Sequence, residues 1–205
     1  MEGMDEQYHS KHGAISESKH IFINEGLLQI AKHKKNISVL ELGMGTGLNV
    51  FLTYLTALKE QLTVDMTTIE AFPISLEEAK KLNYPERLNG NELIFEKIHS
   101  CEWDNWERIA SHFSLIKFHS TIQEMTYDEV YDVIYFDAFA PEKQEEVWSL
   151  DIFKKLFDCL SKDGILVTYC VKGIIRRRLQ EIGFSIHKLP GPKGGKREML
   201  KAIKY

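Results

Sequence analysis

A chain of 205 residues has room for one substantial domain and is short for two. Its 43% hydrophobic and 27% charged residues suit a buried core under a solvated surface, and it shows neither a membrane-length apolar run nor a basic-then-apolar signal segment, so a cytoplasmic protein is expected and not a secreted or membrane-spanning one. The net charge of −4 excludes indiscriminate coating of nucleic acid, and the three cysteines, with no C-x-x-C pair among them, read as reduced structural thiols.

Residues 1 to 35 are polar at first and then helical in pattern. Ser18 can cap a run in which Ile21, Phe22, Glu25 and Leu28 recur at helical spacing, and the basic Lys32, Lys34 and Lys35 suit the negative end of a helix. This segment is expected to be an N-terminal extension and helix covering the site, followed by a single domain over 36–205. His9, His12, His20 and His33 come without a matching Cys or carboxylate cluster, so no metal site is expected.

The run from Asn36 to Asn49 then reads as a buried strand, a tight turn with Gly43, Gly45 and Gly47, and the first turn of a helix. Glycines let the backbone take positive φ and approach a ligand closely, and the helix behind them presents unpaired N–H groups. A dinucleotide fingerprint needs a third glycine where Leu48 stands. The spacing is instead E-x-G-x-G-x-G from Glu41, and it resembles motif I of the class I S-adenosylmethionine-dependent methyltransferases. The alternative is a turn that holds no ligand.

Leu48, Phe51, Leu52, Leu55 and Leu58 mark one apolar helix face, and Thr63 to Ile69 is a β-branched strand closed by Glu70. An acid at that strand end, about 25 residues past the glycines, is where an α/β nucleotide site places its ribose-hydroxyl acceptor. Ala71, Phe72 and Pro73 add apolar surface suited to a base. A short helix is expected over 74–82, an irregular stretch over 86–112 with Trp103 and Trp106 on a helical turn packing in the core or covering the sheet, and a third strand over 114–119 ending at Ser120 and Thr121.

Tyr131 to Asp137 is a mostly apolar fourth strand, as expected of one covered on both faces. It brings Asp137, next to Phe139 and Pro141, to the rim where ligands sit in open α/β sheets, and Glu41, Glu70 and Asp137 are expected to converge on one crevice. Asp137 is the best catalytic candidate; the plainer alternative is a helix cap. Beyond it come a core helix over 147–160, a fifth strand over 165–170 after the Asp163-Gly164 turn, a helix over 173–182 ended by Gly183, and a closing pair of strands, 184–189 and 198–203. From residue 165 onward ten Lys and Arg stand against Glu181 and Glu198, a segment charge of +8 on a chain of −4. One basic face on an acidic molecule suits a phosphate-bearing partner.

Several of these stretches together resemble the methyltransferase domain of the MnmC family: Tyr8 to Ser18 with Phe22, the Glu41-to-Gly47 loop, Glu70-Ala71-Phe72-Pro73, Asp137-Ala138-Phe139-Ala140-Pro141, and Lys196-Arg197-Glu198-Met199. That resemblance implies a Rossmann-like α/β class I methyltransferase fold, a seven-stranded mostly parallel sheet with a C-terminal antiparallel hairpin. It implies N-methylation, by S-adenosyl-L-methionine, of the 5-aminomethyl group of 2-thiouridine at the tRNA wobble position. By position, Glu41, Gly43, Gly45, Gly47, Asn49, Glu70, Phe72 and Thr121 would face the cofactor and Asp137 the substrate amine. Tyr8, Ser10, Glu17 and Phe139 would lie near the mouth, and Arg176, Arg177, Lys196 and Arg197 would meet tRNA phosphates. Thr121 stands near where the family often has an acid, and Tyr169-Cys170 replaces a small polar pair. The flavin oxidoreductase half of bifunctional members has no counterpart here, which implies methylation only, with a separate flavin oxidoreductase as the upstream partner. A small-amine methyltransferase or aminopropyltransferase, and a non-catalytic RNA-binding module with a relic cofactor pocket, are the competing readings.

Overall fold

The computed structural model describes residues 13–127, 129–192 and 198–205. Its strands are β1 (Asn36–Leu42), β2 (Thr63–Glu70), β3 (Glu107–Ala110), β4 (Phe113–His119), β5 (Tyr131–Phe136), β6 (Leu160–Thr168), β7 (Ser185–Pro190) and β8 (Glu198–Ile203). They form one sheet in the order β3-β4-β2-β1-β5-β6-β8-β7. The five central strands run parallel, while β3, β8 and β7 pair antiparallel at the two flanks.

The apolar runs explain the layering. Alternate residues of the central strands face opposite sides: Val39, Val64, Met66, Val133, Tyr135 and Val167 enter one core, and Leu40, Leu42, Ile69, Ile134, Phe136 and Leu166 the other. The first core is covered by α1 (Gly13–Ser18), a π-helical stretch (Lys19–Leu27) and α2 (Leu28–Ile30), together with α3 (Leu48–Glu60), α4 (Leu76–Ala79), α5 (Tyr84–Leu88) and α6 (Glu92–Ser100). The second is covered by α7 (Leu150–Cys159) and α8 (Gly173–Ile182). Gly26 lets the N-terminal helix lie close on the sheet, since a Cβ there would stand 3.2 Å from Val133 and Val167. Lys201 donates to Glu25 across 3.0 Å and ties that helix to β8.

Several expectations are corrected. The sheet has eight strands instead of seven, because Glu107–Ala110 reverses onto β4 and buries Ile109. A four-residue edge strand leaves too short a pattern to read. The 86–112 stretch holds α5, α6 and β3. Trp103 and Trp106 lie on no helix; Trp103 packs under the Lys117 ammonium, 4.6 Å from its ring centre, and Trp106 is 44% exposed. Ser18 caps nothing, for the helix already runs from Gly13 and Ser18 is buried within it. The Asp163-Gly164 pair lies within β6, which begins at Leu160. The helix stop at Gly183 is found as expected.

Candidate active site

The parallel strands turn outward in opposite directions from β1, with β2 on one side and β5 on the other. Such a reversal opens a crevice beyond the carboxyl ends of the strands. Gly43 N–H donates to Ile69 O at 3.0 Å and Asp137 N–H to Leu42 O at 3.1 Å, so the glycine loop and Asp137 emerge side by side there.

The three loop glycines take φ of 93°, 51° and 71°, in the region L side chains avoid. Their surroundings differ. A Cβ on Gly43 would stand 3.0 Å from Asp137 O, and one on Gly47 2.8 Å from His99 Nε2; a Cβ on Gly45 would meet nothing within 4 Å. Gly43 and Gly47 are thus packed against protein, and Gly45 faces open space. Gly47 is also the N-cap of α3, whose first turn carries Asn49.

Glu70 at the end of β2 fixes the loop. Its carboxylate accepts Gly45 N–H at 2.7 Å and Phe72 N–H at 2.9 Å, holding the glycine turn against the strand end. Phe72 is 74% exposed beside it. Across the crevice Asn49 Nδ2 donates to Asp137 Oδ2 at 2.9 Å. Asn49 is itself pinned through its carbonyl, which accepts Thr53 Oγ1–H at 2.7 Å, and its buried Oδ1 has no partner among the described residues.

Glu41 lies deeper than its neighbours. It is fully buried in β1, accepts Thr68 Oγ1–H at 2.8 Å, and has a second oxygen without a partner among the described residues. Burial, reinforced by the nearby charges of Asp137 and Glu70, pushes its carboxyl up to about 8, so it is protonated at neutral pH. It forms the floor under Asn49 and Asp137 and not an open wall of the crevice.

The loop after β5 is gripped from behind. Trp148 Nε1–H donates to Phe139 O at 2.8 Å and Tyr169 O–H to Ala138 O at 2.7 Å, leaving the Phe139 ring 47% exposed. Beneath the glycine loop, burial and then the Lys117 charge hold His99 down at about 4, a neutral imidazole packed edge-on against Phe95. The fully buried Lys117 donates to His99 O at 2.8 Å. Thr46 Oγ1 and Tyr84 OH share a hydrogen bond of 3.1 Å. His99, Tyr84 and Lys117 support the loop, and sequence reading passed over them; the unusual Tyr169 was a signal, but its role as a clamp was not legible.

The remaining candidates spread around this centre. Thr121 is half-buried and exchanges hydrogen bonds with Glu124, at 2.7 Å from its hydroxyl and 3.3 Å to it. Glu17 is half-buried on α1; Arg176 and Arg177 lie on α8, the first half-buried and the second exposed. Tyr8, Ser10, Lys196 and Arg197 lie outside the described residues.

The groups present fit an adenosyl sulfonium compound. The space over Gly45 admits a ligand against bare backbone, the Glu70 carboxylate beside it is an acceptor for ribose hydroxyls, and the buried Asn49 Oδ1 offers an unused acceptor in the crevice.

Comparison with known proteins agrees. Over 97% of its length the chain is 31% identical to the tRNA 5-methylaminomethyl-2-thiouridine biosynthesis bifunctional protein MnmC of Leptospira interrogans, and over 94% it is 25% identical to the protein of that name from Burkholderia multivorans. It spans about a third of the length of these curated relatives, 32% and 31%. Among solved structures it is similar to MnmC2 from Aquifex aeolicus, with a TM-score of 0.71 and 25% identity, covering 93% of this chain and 61% of that one. Residues 92–205, Asp137 among them, match the Methyltransf_30 profile, and the chain belongs to this family of S-adenosyl-L-methionine-dependent methyltransferases.

Proposed function

We propose that the chain methylates the 5-aminomethyl group of 2-thiouridine at the tRNA wobble position, as its resemblance to MnmC proteins along nearly its whole length suggests. The observation that carries this reading is Asp137, held by Asn49 next to the glycine loop at the rim of the sheet. An amine acceptor needs a fixed carboxylate facing the donor, and this is the place for one.

When bound, the cofactor supplies a methyl group on a sulfonium; the C–S pair leaves with sulfur as the N–C bond forms. Such a displacement is governed by alignment, so the protein's contribution is to position the nucleophile. Alkylamines have pKa near 10 and aspartates near 3.9, which makes Asp137 an orienting acceptor and not a strong base. Its carboxylate accepts an N–H of the amine, aims the lone pair, and stabilises the positive charge that grows on nitrogen. The proton leaves to solvent from the methylated ammonium. Glu41, kept neutral below, spares Asp137 a second adjacent charge. Gly43, Gly45, Gly47, Asn49, Glu70, Phe72 and Thr121 flank the cofactor in this reading. Glu17 and the N-terminal helix, with Tyr8 and Ser10, border the mouth, and Phe139 packs on the substrate base.

Arg176, Arg177, Lys196 and Arg197 meet tRNA phosphates, and a separate flavin oxidoreductase, acting upstream, uncovers the primary amine. Among the described residues no helix is long and apolar enough to cross a membrane, and a tRNA substrate places the protein in the cytoplasm.

The test is incubation with labelled S-adenosylmethionine and tRNA from cells lacking the gene, followed by nucleoside analysis. Label in 5-methylaminomethyl-2-thiouridine is expected. Label on small amines with none on tRNA would mark a small-amine enzyme, and cofactor binding without any transfer a relic pocket. Arg176→Glu with Arg177→Glu should weaken tRNA binding and flatten its salt dependence.

A further inference from the structure

A cavity of about 720 Å³ lies between the N-terminal helix, α5 and the end of β7, separate from the crevice residues described above. Its polar lining is Ser16, Lys19, His20, Asn24 and Arg87, closed on one side by the Pro190-Gly191-Pro192 backbone. No acid lines it, on a chain whose net charge is −4. A closed ring of cationic and neutral donors without a carboxylate is suited to an anion.

Its place in the fold relates it to the crevice. Phe136 is in register with Thr168, Thr168 with Leu200, and Pro190 with Glu198, which puts Pro190 on the same carboxyl-end rim as Asp137. On the other side Arg87 shares α5 with Tyr84, whose hydroxyl meets Thr46 in the glycine loop. One wall is already formed, for His20 Nε2 and Pro190 O lie 2.8 Å apart in a hydrogen bond that latches helix to hairpin. The volume exceeds what a bare phosphate fills and falls within the range of pockets that hold nucleotide-sized ligands.

We infer that this rim cavity is a phosphodiester subsite, in which Lys19 and Arg87 hold the backbone of a nucleotide flanking the one modified at Asp137. The inference rests on the tRNA reading above and adds a second anchor to it. Phosphate contacts of this kind set register without reading sequence. A substrate held at two points on one rim presents its amine to Asp137 in a single orientation.

The experiment compares Lys19→Gln and Arg87→Gln with the unaltered protein, measuring tRNA affinity against salt, steady-state methylation, and binding of S-adenosylhomocysteine. Each substitution is expected to lower the slope of log affinity against log salt by about one. The KM for tRNA should rise about three- to tenfold, more than kcat falls, while S-adenosylhomocysteine affinity stays the same. An unchanged salt slope in both variants that still methylate tRNA would overturn the subsite and leave the tRNA reading standing. No methylation of tRNA by the unaltered protein would overturn the tRNA reading, and the subsite with it. Inorganic phosphate provides a further arm: saturable shifts of the His20 ring resonances, with tRNA affinity indifferent to Lys19→Gln and Arg87→Gln, would mark a free-anion pocket and refute the subsite.

Discussion

Asn49 Nδ2 donates to Asp137 Oδ2 across 2.9 Å, joining the first turn of the helix behind the glycine loop to the end of β5. The bond leaves the Asp137 carboxylate with a fixed orientation in the crevice. Asp137→Asn keeps the shape and loses the charge that would offset a growing ammonium. We expect turnover to fall by about 10²- to 10³-fold, with S-adenosylhomocysteine affinity nearly unchanged by calorimetry. A loss of less than about tenfold would remove Asp137 from the role proposed for it. Asn49→Ala, which frees the carboxylate to rotate, should cost about tenfold, the smaller effect of a lost orienting hydrogen bond.

Gly45 and Gly47 separate cofactor contact from protein packing. At Gly45 a methyl group meets no protein atom, so Gly45→Ala carries only the left-handed backbone cost, about 1–2 kcal/mol. Thermal denaturation should show a drop of about 2–8 °C, whereas cofactor affinity falls tenfold or more because the methyl group occupies ligand space. Gly47→Ala adds a 2.8 Å approach to the half-buried His99 and should lower the melting temperature further than Gly45→Ala does. The opposite ranking would contradict the packing described.

Glu41 makes stability depend on pH. Its folded-state pKa, about 8, lies above the model value of 4.5, so the folded protein binds the additional proton between those values. The contribution is fully present below about 4.5, declines as pH rises, and is gone above about 8. Over that interval the raised pKa corresponds to several kcal/mol, at roughly 1.4 kcal/mol per unit. Glu41→Gln keeps a neutral group of the same shape. Denaturant titrations should show it gaining on the unaltered protein as pH rises from 5 to 9, and a constant difference across that interval would show that Glu41 is not held protonated.

Glu70 has two duties that one substitution can part. Its carboxylate accepts the backbone N–H groups of Gly45 and Phe72, and in the proposed complex it also accepts ribose hydroxyls. Glu70→Gln presents an amide N–H where one of these acceptors stood and is expected to weaken S-adenosylhomocysteine binding at least tenfold. A 2′-deoxyribose analogue of the cofactor should lose affinity on the unaltered protein and little more on Glu70→Gln. Equal losses on both would place the ribose elsewhere.

The strand-loop-helix unit around Gly43, Gly45 and Gly47, and the acids that close β2 and follow β5, were legible in the chain. Each is written in contiguous residues: apolar runs for strands buried on both faces, and glycines where the backbone takes φ of 93°, 51° and 71°. Those local signals fixed the α/β class and the end of the sheet at which chemistry would sit. Sequence could not place β3, whose four residues carry almost no periodicity and whose pairing depends on the neighbouring edge of β4. Nor could it show that Asn49 reaches Asp137 across 88 positions, that Glu41 lies sealed in the floor, or that His99 fills the space under Gly47. These follow from which strand lies beside which and how deeply each side chain is packed, and a linear pattern carries neither. Local backbone chemistry determined the elements; the strand order decided that Glu70, Asn49 and Asp137 meet around one loop.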